Sequence, residues 1–476
     1  MLHAAFVRLG LLLAALALAG AAPARAAPPN ILFIIADDLG WKDVGFHASD
    51  IQTPNLDQLA AGGVRLETFY AQPMCTPTRA ALLTGRYPLR YGLQTGVIPS
   101  AHVYGLPTDE VLLPQALKDA GYDTALIGKW HLGHADPQFW PRQRGFDYQY
   151  GPLIGELDYF THEQHGVTDW YRDNKVVKEP GYTTTLLGED AVRLIETHDP
   201  GVPLYLQLAF NAPHTPYQAP ETYLAKYAAI ADPSRRAYAA AITAMDDQIG
   251  LVVQALDKKG LRQNTLIVFI SDNGGTTNKM FAGEGDMSKV TLPCNNGPYR
   301  DGKGSLYEGG TRVVALANWP GHIASGLVMD EMMHVVDWYP TIAALAGAST
   351  ARSKPLDGLN VWDAVSTGAK SPRTEVVYNV ESFRAGIRQG DWKLVWGATL
   401  PQKVELYNLA QDISETTNLA AAHPDIVATL QQRANSLAAV AVPSMLMQAE
   451  FKAIFERLHR PPSLPPEDAS LGMGED

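Results

Sequence analysis

Four short runs of the chain are almost entirely apolar, without the alternation that marks a half-exposed strand. They cover residues 31–36, 124–127, 204–210 and 265–270. Such runs are typical of strands that are buried on both faces of a parallel sheet. Residues 234–259 instead carry apolar side chains at helical spacing, and Gly260 ends that predicted helix. These side chains are Tyr238, Ile242, Met245, Ile249, Val252 and Leu256. Alternating strands and helices predict an α/β fold with a doubly wound, mostly parallel sheet.

Polar side chains follow all four runs. They are Asp37, Asp38, Lys129, His131, His214, Asp272 and Asn273. Because ligands bind beyond the carboxyl ends of strands in an open parallel sheet, we expect these side chains to lie near one another. Each acid by itself could equally cap the next helix. Four strand ends that all carry polar groups indicate a functional site.

The acidic members of this set offer only oxygen ligands. Asp37, Asp38, Asp272 and Asn273 suit a hard cation such as Ca²⁺ or Mg²⁺, whereas Zn²⁺ sites usually include His or Cys. Three crowded carboxylates would repel one another, and an ion between them would relieve that repulsion. The alternative interpretation is a salt-bridged cluster of these acids with basic residues such as Arg79 and Lys129.

Basic residues are expected to line a local positive pocket in this acidic chain. They are Arg79, Lys129, His131, His214 and Lys303. Such a pocket suits a small, permanently charged anion such as a sulfate ester. Lys303 belongs to the glycine-rich stretch 301–312, which allows the backbone to approach a ligand closely. Taken alone, Lys303 is more simply interpreted as a solvated surface lysine.

One of the two cysteines, Cys75, stands just ahead of a short helix-forming run with Pro77 in its first turn. The positive end of a helix would stabilise a thiolate or another anion there. The simpler interpretation is a buried cysteine that packs as a small apolar residue. Cys75 could also form a disulfide with Cys294 in an oxidising compartment, and that pairing would exclude a modified Cys75.

Charge and termini limit the classes of partner. The 476 residues carry a formal net charge of −12, which argues against nucleic-acid binding.

A signal peptide is predicted over residues 1–26, and hence a periplasmic or secreted protein. The prediction rests on Arg8, the apolar run 9–18 and the small-x-small sequence Ala24-Arg25-Ala26. An uncleaved anchor is the alternative, but the run is too short to span a membrane, and we expect no stable membrane association. Residues 461–476 are predicted to form a flexible acidic tail.

The chain resembles the type I sulfatases over most of its length. The stretches that carry the resemblance are residues 29–41, the signature 75–86, and residues 121–133, 271–275 and 334–341. Residues 386–394, 405–409 and 415–419 resemble the family's small C-terminal domain. Residues 72–75, 92–94 and 144–147 are most similar to the arylsulfatase B (N-acetylgalactosamine 4-sulfatase) branch.

The resemblance implies an alkaline-phosphatase-like α/β domain over residues 27–375 and a smaller C-terminal α+β domain over residues 376–460. It implies that a formylglycine-generating enzyme converts Cys75 to formylglycine (3-oxoalanine). It also implies that Asp37, Asp38, Asp272 and Asn273 bind Ca²⁺, or alternatively Mg²⁺, together with an oxygen of the modified Cys75.

The same resemblance implies roles for the basic residues. Arg79 would steady the formylglycine hydrate, and His131 would lie beside it as a base. Lys129, His214 and Lys303 would hold the sulfate, with His214 protonating the leaving alcohol.

The implied activity is hydrolysis of O-sulfate esters, and the implied substrates are aryl sulfates or small sulfated sugars such as N-acetylgalactosamine 4-sulfate. Two alternatives remain open. One is a phosphonate monoester or phosphodiester hydrolase with the same modified cysteine and metal. The other is a non-catalytic secreted carbohydrate-binding protein in which Cys75 and Cys294 form a disulfide.

Selectivity for the alcohol part of the sulfate ester is expected to come from variable loops at the sheet edge. The predicted loops are residues 99–107, 155–170 and 276–300. The middle loop offers aromatic and hydrogen-bonding side chains that suit a pyranose, although the same residues could form a self-packed surface loop. They are Asp158, Tyr159, Phe160, His162, Glu163 and His165.

Overall fold

The computed structural model describes residues 27–281, 291–398 and 401–458. The predicted signal peptide and the predicted acidic tail lie outside these residues. Among the described residues, no helix combines the length and the apolar character that crossing a membrane requires.

The described residues form a ten-stranded mixed sheet, a four-stranded antiparallel sheet and two two-stranded ribbons. The strands are β1 (Asn30–Ala36), β2 (Val64–Leu66), β3 (Phe69–Tyr70), β4 (Asp123–Gly128), β5 (Tyr148–Gly151), β6 (Glu163–Gln164), β7 (Val167–Thr168), β8 (Tyr171–Arg172), β9 (Lys175–Val176), β10 (Leu204–Ala209), β11 (Thr265–Ser271), β12 (Ala315–Asn318), β13 (Leu327–Met329), β14 (Met333–His334), β15 (Glu375–Val380), β16 (Arg384–Gln389), β17 (Trp392–Gly397) and β18 (Lys403–Asn408).

The α-helices that connect and cover these strands are α1 (Pro54–Ala61), α2 (Cys75–Thr84), α3 (Leu113–Asp119), α4 (Thr183–Thr197), α5 (Glu221–Leu224), α6 (Pro233–Lys259), α7 (Glu308–Thr311), α8 (Trp338–Ala346), α9 (Trp362–Thr367), α10 (Pro424–Ala438) and α11 (Met445–Leu458).

The large sheet has the order β13-β2-β12-β11-β1-β10-β4-β5-β8-β9. Its centre, from β11 to β5, is parallel throughout. β12 and β2 on one side, and β8 and β9 on the other, add antiparallel pairs. The four apolar runs are therefore the adjacent parallel strands β11, β1, β10 and β4. The expected α/β class with a mostly parallel sheet is confirmed.

Both faces of the sheet are covered by apolar side chains. Along β1, Ile31, Phe33 and Ile35 pack on the face that α2, α3 and α8 cover. Leu32 and Ile34 pack on the opposite face, against α1, α4 and α6. Burial on both faces explains why the runs show no alternation.

Helix α6 agrees with the predicted helix to within one residue. It starts at Pro233, where the Asp232 side chain accepts a hydrogen bond from the main-chain N–H of Arg235, and it ends at Gly260 in the left-handed region, with φ 76°. The predicted apolar face is buried, from Tyr238 to Leu256.

The small sheet is antiparallel in the order β15-β16-β17-β18, and α10 packs on β16 and β17. Its junction with the large domain contains a second buried group of charges, Glu308, Lys393 and Glu415, which we call the sheet-junction cluster. Lys393 Nζ lies 2.9 Å from Glu308 Oε1 and 2.8 Å from Glu415 Oε1. The main-chain N–H of Glu308 donates to Glu415 Oε2 at 2.7 Å.

Candidate active site

The carboxyl ends of the four central strands bring the predicted polar residues to one buried location. Asp37 and Asp38 follow β1, and Asp272 and Asn273 follow β11; each of these residues is at most 2% exposed. Lys129 and His131 follow β4, and His214 follows β10 through a short turn. Lys303 comes from the glycine-rich loop and is only 5% exposed, so it is not a surface lysine.

Asp37 and Asp272 are tied together by basic residues. Arg79 Nη2 donates to Asp272 Oδ2 at 2.8 Å and lies 3.5 Å from Asp37 Oδ2. Its Nη1 donates to the main-chain oxygen of Lys129 at 3.0 Å. The Lys129 ammonium forms an ion pair with Asp37. Arg79 therefore links three strand ends.

Asp38 is held on the other side of the cluster. Its Oδ2 accepts from Lys303 Nζ at 2.8 Å and from Thr276 Oγ1 at 3.1 Å, and its Oδ1 accepts from Asn273 Nδ2 at 2.7 Å. Burial alone would raise the pKa of Asp38, but Lys303 and His214 outweigh burial and lower it. Asp38 is therefore a carboxylate at neutral pH.

The Cys75 side chain lies in the middle of these charges. Cys75 is the first residue of α2, is 1% exposed, and its Sγ is 3.3 Å from Asp37 Oδ1. Burial and the carboxylates of Asp272 and Asp37 raise the pKa of this thiol well above its ordinary value. The expectation that the helix end stabilises a thiolate here is wrong, because burial and two adjacent acids outweigh the helix dipole.

His214 and Lys303 form a hydrogen-bonded pair. His214 Nδ1 lies 2.6 Å from the carbonyl oxygen of Thr215, which assigns the ring proton to Nδ1. Its Nε2 then accepts from Lys303 Nζ at 3.1 Å. Burial and Lys303 lower the pKa of His214 to about 4, consistent with this neutral tautomer.

His131 presents one ring nitrogen without a partner. Its Nε2 lies 3.2 Å from the main-chain oxygen of Ile98, whereas its buried Nδ1 has no hydrogen-bond partner among the described residues. Burial, followed by Lys129 and Arg79, lowers the pKa of His131 well below its ordinary value. A neutral ring that donates from Nε2 leaves Nδ1 as an acceptor.

A cavity of about 340 Å³ opens on this cluster. Its lining includes Cys75, His131, His214 and Lys303. Lys303 brings a positive charge to this lining, and the volume of the cavity is that of a small-molecule site.

A family model for the sulfatases matches residues 29–348, which is more than half of the chain. The chain belongs to the sulfatase family. The resemblance drawn from the motifs is thereby confirmed. A second model, for the C-terminal part of N-sulphoglucosamine sulphohydrolase, matches residues 299–440 and so includes the small sheet.

Individual sulfatases are similar over most of the chain. Mouse arylsulfatase J is 38% identical over 390 residues, covering 79% of this chain and 62% of the relative. Human N-acetylgalactosamine-6-sulfatase is 34% identical over 379 residues, covering 75% and 70%. The crystal structure of Ps i-CgsB in complex with k-i-k-neocarrahexaose superposes with a TM-score of 0.81 at 33% identity, covering 92% of this chain and 98% of that one.

The donor set of this sulfatase fits a hard cation. Ligand atoms of Asp37, Asp38, Cys75 and His214 lie within 4.8 Å of one another. Asn273 Oδ1 is buried without a hydrogen-bond partner among the described residues, as expected for a carbonyl oxygen that would ligate an ion. Asp37, Asp38 and Asn273 offer the oxygen atoms that Ca²⁺ and Mg²⁺ prefer, whereas Cys75 and His214 offer the sulfur and nitrogen atoms that Zn²⁺ sites usually include.

Sequence reasoning missed two side chains of the cavity, Glu156 and Gln164. They belong to the predicted rim loop 155–170. Two of the side chains that we predicted to contact a sugar from this loop are instead packed inside the protein. Tyr159 is buried and donates to the main-chain oxygen of His214 at 2.9 Å. His162 is also buried, and its ring stacks on Trp170 at 4.5 Å. These two residues support the self-packed interpretation of the loop.

Proposed function

We propose that this protein hydrolyses sulfate esters, with sulfated sugars as the natural substrates and aryl sulfates as surrogates. The observation that carries the proposal is the buried Cys75 side chain, which lies among acids and bases and lines an open cavity. Lys303 and the ring nitrogens of His131 and His214 in the same lining suit a small anion, and names of relatives such as N-acetylgalactosamine-6-sulfatase support a sugar.

Asp37, Asp38, Asp272 and Asn273 would hold a Ca²⁺ ion, with Mg²⁺ as the alternative, and Cys75 is the residue proposed to become formylglycine. When present, the ion supplies Lewis-acid polarisation, and the hydrated aldehyde supplies the nucleophilic oxygen. The buried thiol itself, with its raised pKa, is a poor nucleophile.

The chain's own residues bind the sulfate and move protons. Lys129 and Lys303 offset charge on the sulfate oxygens. Lys303 Nζ donates to His214 Nε2, and this hydrogen-bonded pair provides the proton for the leaving alcohol. His131 Nδ1, which is free to accept, removes the proton whose loss regenerates the aldehyde. Arg79 fixes Asp272 and so steadies the site around Cys75.

For the substrate, we propose a terminal N-acetylgalactosamine-type 4-sulfate, acted on in the periplasm or outside the cell after signal-peptide removal and maturation by a formylglycine-generating enzyme. The net charge of −12 disfavours gripping a long sulfated polymer along its length. Turnover of 4-sulfated and 6-sulfated monosaccharides by the same preparation tests the position, and a clear preference for the 6-sulfate would overturn this choice alone.

The activity is tested by side-by-side rates on 4-nitrophenyl sulfate and 4-nitrophenyl phosphate, before and after chelation. We expect sulfate to be the better substrate, loss of turnover on chelation, and recovery with Ca²⁺ or Mg²⁺. Faster hydrolysis of phosphate or phosphonate esters would favour the other hydrolase class, and full activity in protein shown by elemental analysis to be metal-free would contradict the metal site.

The state of Cys75 separates an enzyme from a simple binding protein. Both cysteines are free in the structure. We expect the peptide that contains Cys75 to react with an aldehyde probe and to show the mass of formylglycine. A quantitative Cys75–Cys294 disulfide in active protein would contradict the proposal.

A further inference from the structure

A second and larger cavity, of about 700 Å³, adjoins the cavity at Cys75. The two share lining residues, among them Val97, Pro99, Phe281 and Lys303. The two cavities therefore lie side by side: the smaller is lined by Cys75, His131 and His214, and the larger meets the active site at Lys303. We call the larger cavity the outer cleft. Its volume is within the range of about 300–1,000 Å³ that small-molecule sites occupy.

The walls of the outer cleft come from two regions. Val97, Pro99 and Met280 belong to the large domain, whereas Phe383 and Trp396 belong to the small sheet. Met280 is 71% exposed and Phe383 is 59% exposed, although both are large apolar side chains. Phe383 lies at the turn between β15 and β16. Exposed apolar side chains that line a concave surface indicate a ligand.

The outer cleft also contains polar groups that are already fixed. Arg384 Nη1 donates to the main-chain oxygen of Gly304 at 2.6 Å, and its Nε donates to Glu381 Oε1 at 3.0 Å. The guanidinium is thus held directly beside Lys303. Thr95 also lines the cleft, and its buried Oγ1 has no hydrogen-bond partner among the described residues. Apolar and aromatic faces with a few fixed polar groups suit a sugar ring.

Charge in the outer cleft is largely balanced. Arg384 forms an ion pair with Glu381 at 2.9 Å, and Lys403 lies 3.3 Å from Glu405. Lys303 is engaged with Asp38. A densely charged polymer would find few unpaired cations here, whereas the hydroxyl groups and apolar face of one neighbouring sugar fit such a lining.

We propose that the outer cleft binds a second sugar residue, linked to the ring that carries the sulfate ester. This inference rests on the proposed function and extends it from a monosaccharide sulfate to an oligosaccharide sulfate of at least two residues. The sulfated ring occupies the cavity at Cys75, and the next ring lies between Phe383 and the segment that carries Val97 and Pro99.

The test compares kcat/KM for an N-acetylgalactosamine sulfate with kcat/KM for a disaccharide that contains the same sulfated ring. The 4-sulfate and 6-sulfate series are both run, and the series with turnover is used. We expect the disaccharide to be favoured by about tenfold, and Phe383→Ala to lower this preference by about 3- to 10-fold, because an aromatic contact is lost. Phe451→Ala is the matched control, since Phe451 is 63% exposed and does not line the cleft.

Equal kcat/KM for the two substrates in the wild type, or an unchanged preference in Phe383→Ala, would overturn the proposal. A binding arm uses the Cys75→Ala variant and calorimetry with the same pairs of sugars, so it does not depend on turnover. If the disaccharide binds more tightly than the monosaccharide, and Phe383→Ala weakens that binding, the outer cleft is supported even if no sulfate ester is hydrolysed. In that case only the proposed function fails. Equal binding of the two sugars would overturn the cleft.

Discussion

The active-site cluster and the sheet-junction cluster are both buried groups of opposite charges, but they differ in how completely their polar atoms are paired. In the sheet-junction cluster, Glu308 accepts hydrogen bonds from Lys393, Tyr70 and Tyr378. Glu415 Oε2 accepts one from the main chain, and Glu415 Oε1 is paired with Lys393 as an ion pair at 2.8 Å, without hydrogen-bond geometry. In the active site, His131 Nδ1 and Asn273 Oδ1 have no hydrogen-bond partner among the described residues, and the cluster opens on a cavity.

One loop supplies both clusters. Lys303 reaches the active site, and Glu308, five residues later, enters the sheet-junction cluster. Gly274 and Gly309 allow this arrangement, because a Cβ on Gly274 would lie 1.7 Å from the carbonyl oxygen of Gly309. The contrast indicates that a buried cluster whose charges are all paired positions the loop, whereas the cluster that has unpaired polar atoms beside a cavity binds and reacts.

The largest expected effect separates chemistry from stability in the active site. Cys75→Ala should lower kcat by about 10⁴-fold or more, because it removes the residue from which the nucleophile is proposed to be made. The free energy of unfolding should change little, since alanine fits the same space. Turnover of 4-nitrophenyl sulfate and urea unfolding measure the two quantities. Cys294→Ala is the control and should keep most of the activity. Wild-type turnover by Cys75→Ala would contradict the proposal that the nucleophile is made from Cys75.

The sheet-junction cluster should respond in the opposite way. Lys393→Met leaves two carboxylates buried without their cation, so the free energy of unfolding should fall by about 3–5 kcal/mol. The folded fraction should keep its kcat. Urea unfolding at neutral pH measures the loss. Lys403→Met on the adjacent strand is the control: this lysine is half-exposed, and its removal should cost less than about 1 kcal/mol. Equal losses of unfolding free energy in the two variants would contradict a stabilising role for the sheet-junction cluster.

Acid should weaken the sheet-junction cluster through Glu308. Burial alone would raise the pKa of Glu308, but Lys393 and Arg312 lower it to about 2. A lowered pKa contributes stability that is present above the unfolded pKa, near 4.5, and is lost as pH falls towards 2. Burial raises the pKa of Glu415, so that carboxyl takes up the first proton.

The measurement is the difference in unfolding free energy between wild type and Glu308→Gln from pH 6 to pH 3. It should shrink by about 2 kcal/mol over this range. A difference that stays constant with pH would show that Glu308 is not held as a carboxylate by Lys393.

The strands could be predicted closely from sequence, and the two clusters only in part. The four central strands agree with the apolar runs within one residue at each end, because burial on both faces leaves few polar positions inside a strand. The sheet-junction cluster gave no sequence signal. Glu308 lies 85 residues from Lys393 and 107 residues from Glu415, and each one alone is a typical surface charge.

The active site was more predictable because strand ends converge by topology, whatever the loops do. The burial of Lys303 was not predictable, since it depends on how its loop packs against Phe281 and Asp38. For loop 155–170 the sequence left a sugar site and a self-packed loop both open, because aromatic residues serve equally well in either, and Tyr159 and His162 follow the self-packed interpretation. In the same loop, Gly155 lies against the imidazole ring of His131.

The smallest expected effect tests whether the orientation of His131 is set by packing. A Cβ on Gly155 would lie 2.3 Å from Cε1 and 2.7 Å from Nδ1 of His131, so in Gly155→Ala either the imidazole ring or the loop backbone must move. We expect kcat to fall by about tenfold, since catalytic groups tolerate little displacement. The free energy of unfolding should change far less than in Lys393→Met, because the ring borders a cavity.

A double-mutant cycle decides whether this loss acts through the imidazole. If it does, Gly155→Ala combined with His131→Asn should be no slower than His131→Asn alone, because the displaced group is already gone. If the two losses multiply instead, Gly155→Ala acts through the loop or the substrate. The unpaired Nδ1 of His131 would then not account for the reactivity that separates the active-site cluster from the cluster at the sheet junction.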